Sequence, residues 1–430
     1  MRLNSSYNMR ILNENRIFKD TILYYRRAVN YIIDIALIEY DNYKDLWQKE
    51  AQSYIERKIH TTSSHKAQYA KFDSIFYKMP SYLRRTAITE ATGIVSSYKK
   101  LVAQWEKNGK KGGKPFLSRH QKTMPCFFKQ GMFEIMDDYQ CRIKIYKDKD
   151  WKWHTFRLRK SDCDYINRRF GLNKGSAPVL EKCGHRYCLR FTFNENVSLT
   201  DNNERVCSVD LGVNTDAVCT IIDKGGTVIA RRFISSAREK DRLYTILNQI
   251  KKAHSYGAKK TRKLWAYANN YNKEISIATA KGIINFAAEY DADIIVFEYL
   301  DIQGKKYGNN KQKLAIWKKQ DIQRRTTHMA HRLGMRITHV SARNTSKLAF
   351  DGSGEVKRDK QNYSLCTFNG GKQYNCDLNA SYNIGARYYI REILKSLSES
   401  ERLSIVAKVP ECDKRTQCTL STFIRMNAVL

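Results

Sequence analysis

The chain has 430 residues, 42% of them hydrophobic, and 77 Lys and Arg against 43 Asp and Glu, for a formal net charge of +34. That length accommodates two to four domains, and the apolar fraction supplies a sizeable core rather than a disordered chain. The charge excess calls for a polyanion, nucleic acid before a membrane surface, and no run of about 18 apolar residues offers a membrane-spanning helix.

The polar start, MRLNSSYNMR, lacks a signal-type apolar stretch. Eleven scattered cysteines, odd in number and without a CxxC pair, read as reduced thiols of a cytoplasmic protein.

Residues 1–12 read as a strand. From Arg16 to about Tyr40 a stripe of Phe18, Ile22, Val29, Ile33 and Leu37 predicts a helix. A second helix is predicted from Pro80 to about Lys107, with Leu83, Ala87, Ile94, Leu101 and Trp105 as its apolar residues. Residues 15–107 therefore form a helical block. The stretch KNGKKGGKPFLSRH, 107–120, is a basic connector. From Phe127 to Phe193 the period falls to two, giving a small β domain over 108–200 that the helical block separates from its first strand, 1–14.

From Arg205 onward the pattern is α/β. RVCSVDLGVNTDAVCTII reads as strand, turn, strand, and TVIARRF as a third strand. Leu243, Ile246, Leu247 and Ile250 mark a helix, AKGIINFAAEY another, and ADIIVFEYLD a buried strand. A basic aromatic helix is expected over 312–333, then the strand MRITHVSA and an amphipathic helix from Asp377 to about Leu397. The tail, 398–430, shows no single pattern.

Three carboxylates stand out. Asp210 ends an apolar strand, Glu298 ends a wholly apolar one, and Asp377 opens a helix. A carboxylate beside a buried strand is costly unless it is paired or bound to a cation. Singly, each has an ordinary reading as a turn or capping residue. Together they suit an RNase H-type sheet, whose first strand carries an Asp, whose central parallel strand ends in a carboxylate, and whose later helix delivers a third. Ala380 and Ser381, one turn past Asp377, would let that helix approach closely. Such a trio can hold two Mg²⁺ about 3.5–4 Å apart.

The segments SVDLGVNTDAVCTI, DIIVFEYLDI and NTSKLAF followed by CDLNASYNIGARY resemble the three split RuvC motifs of transposon-encoded TnpB (OrfB) nucleases, relatives of type V CRISPR effectors. The first half resembles that family more loosely, with KMPSYLRRTAITEATGIVSSYKKL similar to a helix of its recognition insert. The resemblance implies a multidomain α/β plus β protein. A β-barrel wedge domain (1–14 and 108–200) would hold an α-helical recognition insert (15–107). A split RuvC/RNase H-like nuclease domain would span 201–347 and 376–397, with a degenerate zinc-ribbon or target-loading loop at 348–375 and a tail at 398–430. It further implies an RNA-guided DNA endonuclease with Asp210, Glu298 and Asp377 as catalytic Mg²⁺ ligands, Mn²⁺ being an alternative. The partners implied are a guide RNA, transposon-end-derived or CRISPR RNA, and target double-stranded DNA read beside a short motif. No membrane partner is expected.

Where the family has two CxxC pairs this chain has KLAFDGSGEV and CTFNGG. Cys366 and Cys376 alone cannot complete a tetrahedral site, so zinc is not expected. CGHRYC (183–188) reads as a hairpin turn with half-buried thiols. Two basic aromatic runs, 251–265 and 305–325, offer Lys251, Lys252, Lys259, Lys260, Arg262, Lys318, Arg324 and Arg325 as nucleic-acid contacts, and Arg343 and Lys347 flank the NTS motif. Two other readings remain at this point. One is an RNA-guided DNA-binding repressor, for which a carboxylate should be missing. The other is an RNA-independent RuvC-like nuclease, which would not need the first half of the chain.

Overall fold

The computed structural model describes residues 1–12, 15–119, 123–128, 131–136, 139–171, 175–184, 186–200, 204–299, 317–359 and 361–430. Residues 305–316 of the second basic run lie outside them. The chain forms two compact units, Arg2–Glu195 and Met1 with Asn196–Leu430.

In the first unit, β1 (Arg2–Arg10) leads into α1 (Lys19–Ile38), then α2 (Tyr40–Tyr43), α3 (Gln48–Ile59), α4 (Lys71–Ile75) and α5 (Ser81–Lys107). The predicted stripe is the buried face of α1: Phe18, Ile22, Val29 and Ile33 are at most 5% exposed. After α5 come β2 (Phe133–Met136), β3 (Gln140–Lys147), β4 (Asp150–Arg157), α6 (Lys160–Arg169), β5 (Val179–Cys183) and β6 (Arg186–Asn196). They make two three-stranded sheets, ordered β1-β6-β5 and β2-β3-β4, and no closed barrel forms among the described residues. One apolar core runs from Ile22, Val29 and Leu83 of the helices to Ile143, Phe156 and Phe191 of the sheets. The helical block and the β segments thus share their interior.

Helix α6 falls where only strands were expected. Its sequence, KSDCDYINRR, buries just Cys163 and Ile166, too few for a visible stripe. Its acid-first, base-last charge order suits the helix dipole.

The second unit is built on a five-stranded sheet of β7 (Arg205–Asp210), β8 (Ala217–Asp223), β9 (Val228–Ile234), β10 (Ile294–Tyr299) and β11 (Arg336–Ser341). The order is β11-β10-β7-β8-β9. Strands β7, β8 and β9 are joined antiparallel, whereas β10 lies parallel to both β7 and β11. The sheet has a distinct core on each face. Cys207, Val209, Ile295 and Phe297 face one, with α8 (Arg262–Glu289). Val206, Ile294 and Val296 face the other, with α10 (Cys376–Ser396). Between these helices in sequence lies α9 (Lys319–Arg332), and α7 (Ala237–Ser255) packs on α8 through the predicted Leu243, Ile246, Leu247 and Ile250.

Helix α8 is far longer than the apolar stretch that predicted it. Near its middle it buries the polar residues Asn272, Ser276 and Thr279, and Ser276 and Thr279 return their hydroxyls to the carbonyls of Asn272 and Ile275. The tail forms α11 (Glu399–Lys408) and α12 (Leu420–Asn427), the latter stacking Phe423 on Tyr389 of α10 at 4.9 Å. No helix among the described residues is long and apolar enough to cross a membrane.

Candidate active site

Strand register sets the first two carboxylates side by side. Val296 pairs with Ser208 and Phe297 with Val209 on parallel strands, so Glu298 follows level with Asp210. Alternation then fixes the face. Val206 and Ser208 point toward α10, and so therefore does Asp210; Ile294 and Val296 do the same for Glu298.

Helix α10 lies against that face through small residues. The Ser381 hydroxyl hydrogen-bonds Thr220 of β8 at 2.6 Å. At Gly385 an added Cβ would meet Ile222 Cδ1 at 2.7 Å and Ser208 Oγ at 3.1 Å. The close approach predicted at Ala380 and Ser381 is thus centred on Ser381 and Gly385, one turn apart. Asp377, a turn before Ser381, is carried to the carboxylate end of the sheet. It is not the helix cap: Asn375 is, accepting from the Leu378 amide at 2.9 Å.

The three charges act on each other. Burial, then the Glu298 and Asp377 carboxylates, push Asp210 well above the usual carboxylate range, against Arg358 and Lys319. By surface area Asp210 is half-buried, yet protein packs densely around it. Burial also raises Glu298, opposed by its bond from Thr345 and by Arg387 and Lys319, and raises Asp377, opposed by Arg358. Among the described residues neither Asp210 nor Asp377 is in a salt bridge, and no group of three or more His, Cys, Asp or Glu is gathered tightly enough to hold a metal ion.

Several residues of this site were not singled out in the sequence. Buried Thr345 donates its hydroxyl to Glu298 Oε1 and to the Ala342 carbonyl. Two amides of α10 clamp the loop that carries it. Asn383 donates to the carbonyls of Thr345 and Leu348, and Asn379 bridges the Leu348 carbonyl and the Phe350 amide. The NTS motif and the DLNASYN motif are therefore one mechanical piece. Lys319 is 6% exposed and feels Glu298 and Asp210. Its signal was its place on the buried stripe of α9, with Ile322, Thr326 and Ala330.

The Aq_aa04 family matches residues 5–147. A TnpB-like protein of Aquifex aeolicus (strain VF5) is 28% identical over 131 residues, which are 28% of this chain and 42% of that protein. The chain is related to TnpB-like proteins. It spans less than half the length of this relative. Among solved structures, the mini-RNA-guided endonuclease CRISPR-Cas_phi3 aligns with a TM-score of 0.51 at 13% identity, over 90% of this chain and 92% of that one. At that identity the likeness carries the fold alone. CasPhi-2 (Cas12j) bound to crRNA and phosphorothioate DNA aligns with a TM-score of 0.48 at 8% identity, over 89% and 91% of the two chains.

In this TnpB-like setting the segment with the two cysteines is a small sheet, β12 (Lys357–Arg358), β13 (Leu365–Thr367) and β14 (Gln373–Asn375). Cys366 and Cys376 are buried with Ala349 and Phe368 in an apolar cluster of their own. Burial pushes the Cys366 thiol up to about 12. The basic candidates scatter. Lys251, Lys252, Lys259, Lys260 and Arg262 are exposed around the α7–α8 turn. Arg324 and Arg325 both bind Asp321, Lys318 reaches the Asn269 carbonyl, and Lys347 pairs with Glu355 at 2.6 Å. Arg343 is exposed, its carbonyl accepting from Arg387.

Proposed function

We propose that the chain is an RNA-guided DNA endonuclease. It holds a structured guide RNA, reads a short motif beside the target, lets guide and target strand pair, and hydrolyses DNA at a RuvC-like carboxylate site. The observation that carries this reading is the convergence of Asp210, Glu298 and Asp377 on one face of the sheet, with Asp210 and Asp377 outside any salt bridge among the described residues. The relation to TnpB-like proteins and the net charge of +34 support it, since an RNA and a heteroduplex both need neutralising. In this reading the first unit supplies the wedge and recognition parts, and the small sheet around Cys366 is a zinc-free relic of a ribbon, lying beside the target.

By its chemistry the donor set suits Mg²⁺, or Mn²⁺ in its place, and a bound cation would draw the three carboxylates closer than they stand here. Carboxylates are hard oxygen ligands, and the repulsion that pushes Asp210 upward is what a divalent cation relieves. Two ions bound there would supply a hydroxide-generating and leaving-group-stabilising centre. The chain's own residues do the rest. Asp210 and Glu298 present oxygens from rigid parallel strands. Thr345 holds the Glu298 carboxylate in one orientation, and Asn379 and Asn383 hold Thr345. Lys319 offsets part of the negative charge.

The test is to express the protein with its native flanking DNA and sequence the RNA that copurifies. One specific RNA with a variable end is expected, and Mg²⁺-dependent cutting of matching DNA. Asp210→Ala should abolish cutting, by 10³-fold or more on the order of lost metal-ion catalysis, while RNA affinity stays within about twofold. Cutting without RNA would overturn guiding. Cutting by the Asp210→Ala protein would overturn the site.

A further inference from the structure

The far end of α10 borders a cavity of about 230 Å³, closed by the edge strand β11 and by the tail between Arg402 and Cys418. Five cationic side chains line it, Arg387, Arg391, Lys395, Arg402 and Arg415, against one carboxylate, Asp413.

Arg387 is the telling residue. It is 4% exposed, and all its recorded hydrogen bonds go to neutral carbonyls: Ser341 and Arg343 at 2.8 Å, Thr416 at 3.0 Å and Cys418 at 3.1 Å. Its hydrogens are satisfied, and the Glu298 carboxylate, which Lys319 also faces, is the one acid of the carboxylate trio that acts on its charge. A buried charge is costly unless an opposite charge approaches it. Its neighbours leave a surplus. Arg391 and Lys395 share the single carboxylate of Glu392, Arg402 binds Asp413 at 2.8 Å, and exposed Arg415 is in no ion pair among the described residues. Val340, Ile390 and Leu394 give the same cavity an apolar side.

We infer that this cavity is a phosphate-binding site, taking the phosphate of a single nucleotide on its cations and the rest of that nucleotide against its apolar side. The volume lies below the roughly 300–1,000 Å³ of drug-sized pockets, so it admits one phosphorylated unit rather than a duplex. Exposed Lys395 and Arg415 sit at its mouth, as an entering anion requires. The mouth of the site, at Lys395 and Arg415, is separate from the carboxylates, although buried Arg387 feels Glu298. Arg387 and Lys395 follow Asp377 on one helix by ten and eighteen residues, about 15 and 27 Å at 1.5 Å per residue. The inference is therefore tested at Lys395 and Arg415, away from the carboxylates on which the nuclease reading rests. The phosphate has two sources, a free nucleotide or the 5′ end of an RNA strand.

Calorimetric titration of the full chain separates them. The probes are AMP, adenosine, inorganic phosphate, and an RNA pentamer with a 5′-phosphate or a 5′-hydroxyl. AMP should bind at least tenfold tighter than adenosine. A matching preference for the 5′-phosphorylated pentamer assigns the site to strand ends, and its absence assigns it to free nucleotides. The Lys395→Glu/Arg415→Glu protein should lose the phosphate preference by tenfold or more, and Asp210→Ala should keep it. Lys395→Ala/Arg415→Ala serves if charge reversal disturbs the melt. Equal binding of phosphorylated and unphosphorylated probes would overturn the site, as would binding of inorganic phosphate alone, a preference untouched by both double variants, or one lost in Asp210→Ala.

Discussion

The two ends of α10 are electrostatic opposites. At its start Asp377 joins two other carboxylates, each held above its ordinary range. Toward its end Arg387, Arg391 and Lys395 crowd a cavity with too few acids. The helix dipole favours this polarity, anions at the first turn and cations at the last, but only by about 0.3–1 kcal/mol per charge. It does not account for a threefold accumulation at one end or a buried guanidinium at the other. Between them Ser381 and Gly385 press the helix onto β7 and β8. One rigid contact therefore positions both charge clusters. The lesson is that like charges gathered on a rigid element, in excess of what the helix dipole favours, mark places where something of opposite charge binds.

The comparison breaks most visibly at the basic end. Arg387→Met removes four hydrogen bonds and leaves the carbonyls of Ser341, Arg343, Thr416 and Cys418 without this donor. A loss of about 3–5 kcal/mol is expected, read from urea unfolding. Asp210→Ala at the acidic end should cost far less, because it relieves repulsion instead of removing a partner. An equal loss at the two ends would show that Asp210 is a structural residue.

The next effect belongs to Thr345. Thr345→Val keeps the side chain's shape but loses its bonds to Glu298 and Ala342. Groups that orient a metal-binding side chain typically contribute 10–100-fold, so cleavage should fall by about that factor. Stability should fall by about 1.5–3 kcal/mol, as for a hydrogen bond to a charged group. Thr345→Ser, which restores the hydroxyl, should recover most of the rate. If the serine variant is as slow as the valine variant, the hydroxyl is not what orients Glu298.

Much of this was legible in the sequence, for identifiable reasons. Buried strands β7 and β10 announce themselves as apolar runs, so the charged residue at each end is conspicuous. The first tail helix carries its own sequence signal, the Ser398–Glu401 capping box. Thr345 was not legible. A threonine in a loop has no signature until the loop is clamped by Asn379 and Asn383, more than thirty residues later. Nor was α6, which buries only Cys163 and Ile166, or the first half of α8, which buries only Ala268, Asn272 and Ile275, too few in each to mark a face. The cavity at the end of α10 was hidden for another reason. Its cations come from one helix and a tail that showed no pattern, and only tertiary packing brings them together.

The smallest effect sharpens the distinction between free and committed cations. Lys347 and Lys251 are both exposed, and both were predicted to contact nucleic acid. Lys347 is 2.6 Å from Glu355, with both side chains more than half exposed, whereas Lys251 has no ion pair among the described residues. An exposed pair contributes about 0–1 kcal/mol, so Lys347→Ala should shift stability by no more than about 0.5 kcal/mol. The informative measurement is RNA affinity against salt. A lysine that displaces a counterion from a phosphate steepens that dependence by about one unit. Lys251→Ala should therefore flatten it by about one, and Lys347→Ala should leave it unchanged, because Glu355 already neutralises that charge. If Lys347→Ala flattens the slope equally, the ammonium leaves Glu355 for the phosphate on binding. The apparent commitment of surface cations in the free protein would then be no guide to which of them meet RNA.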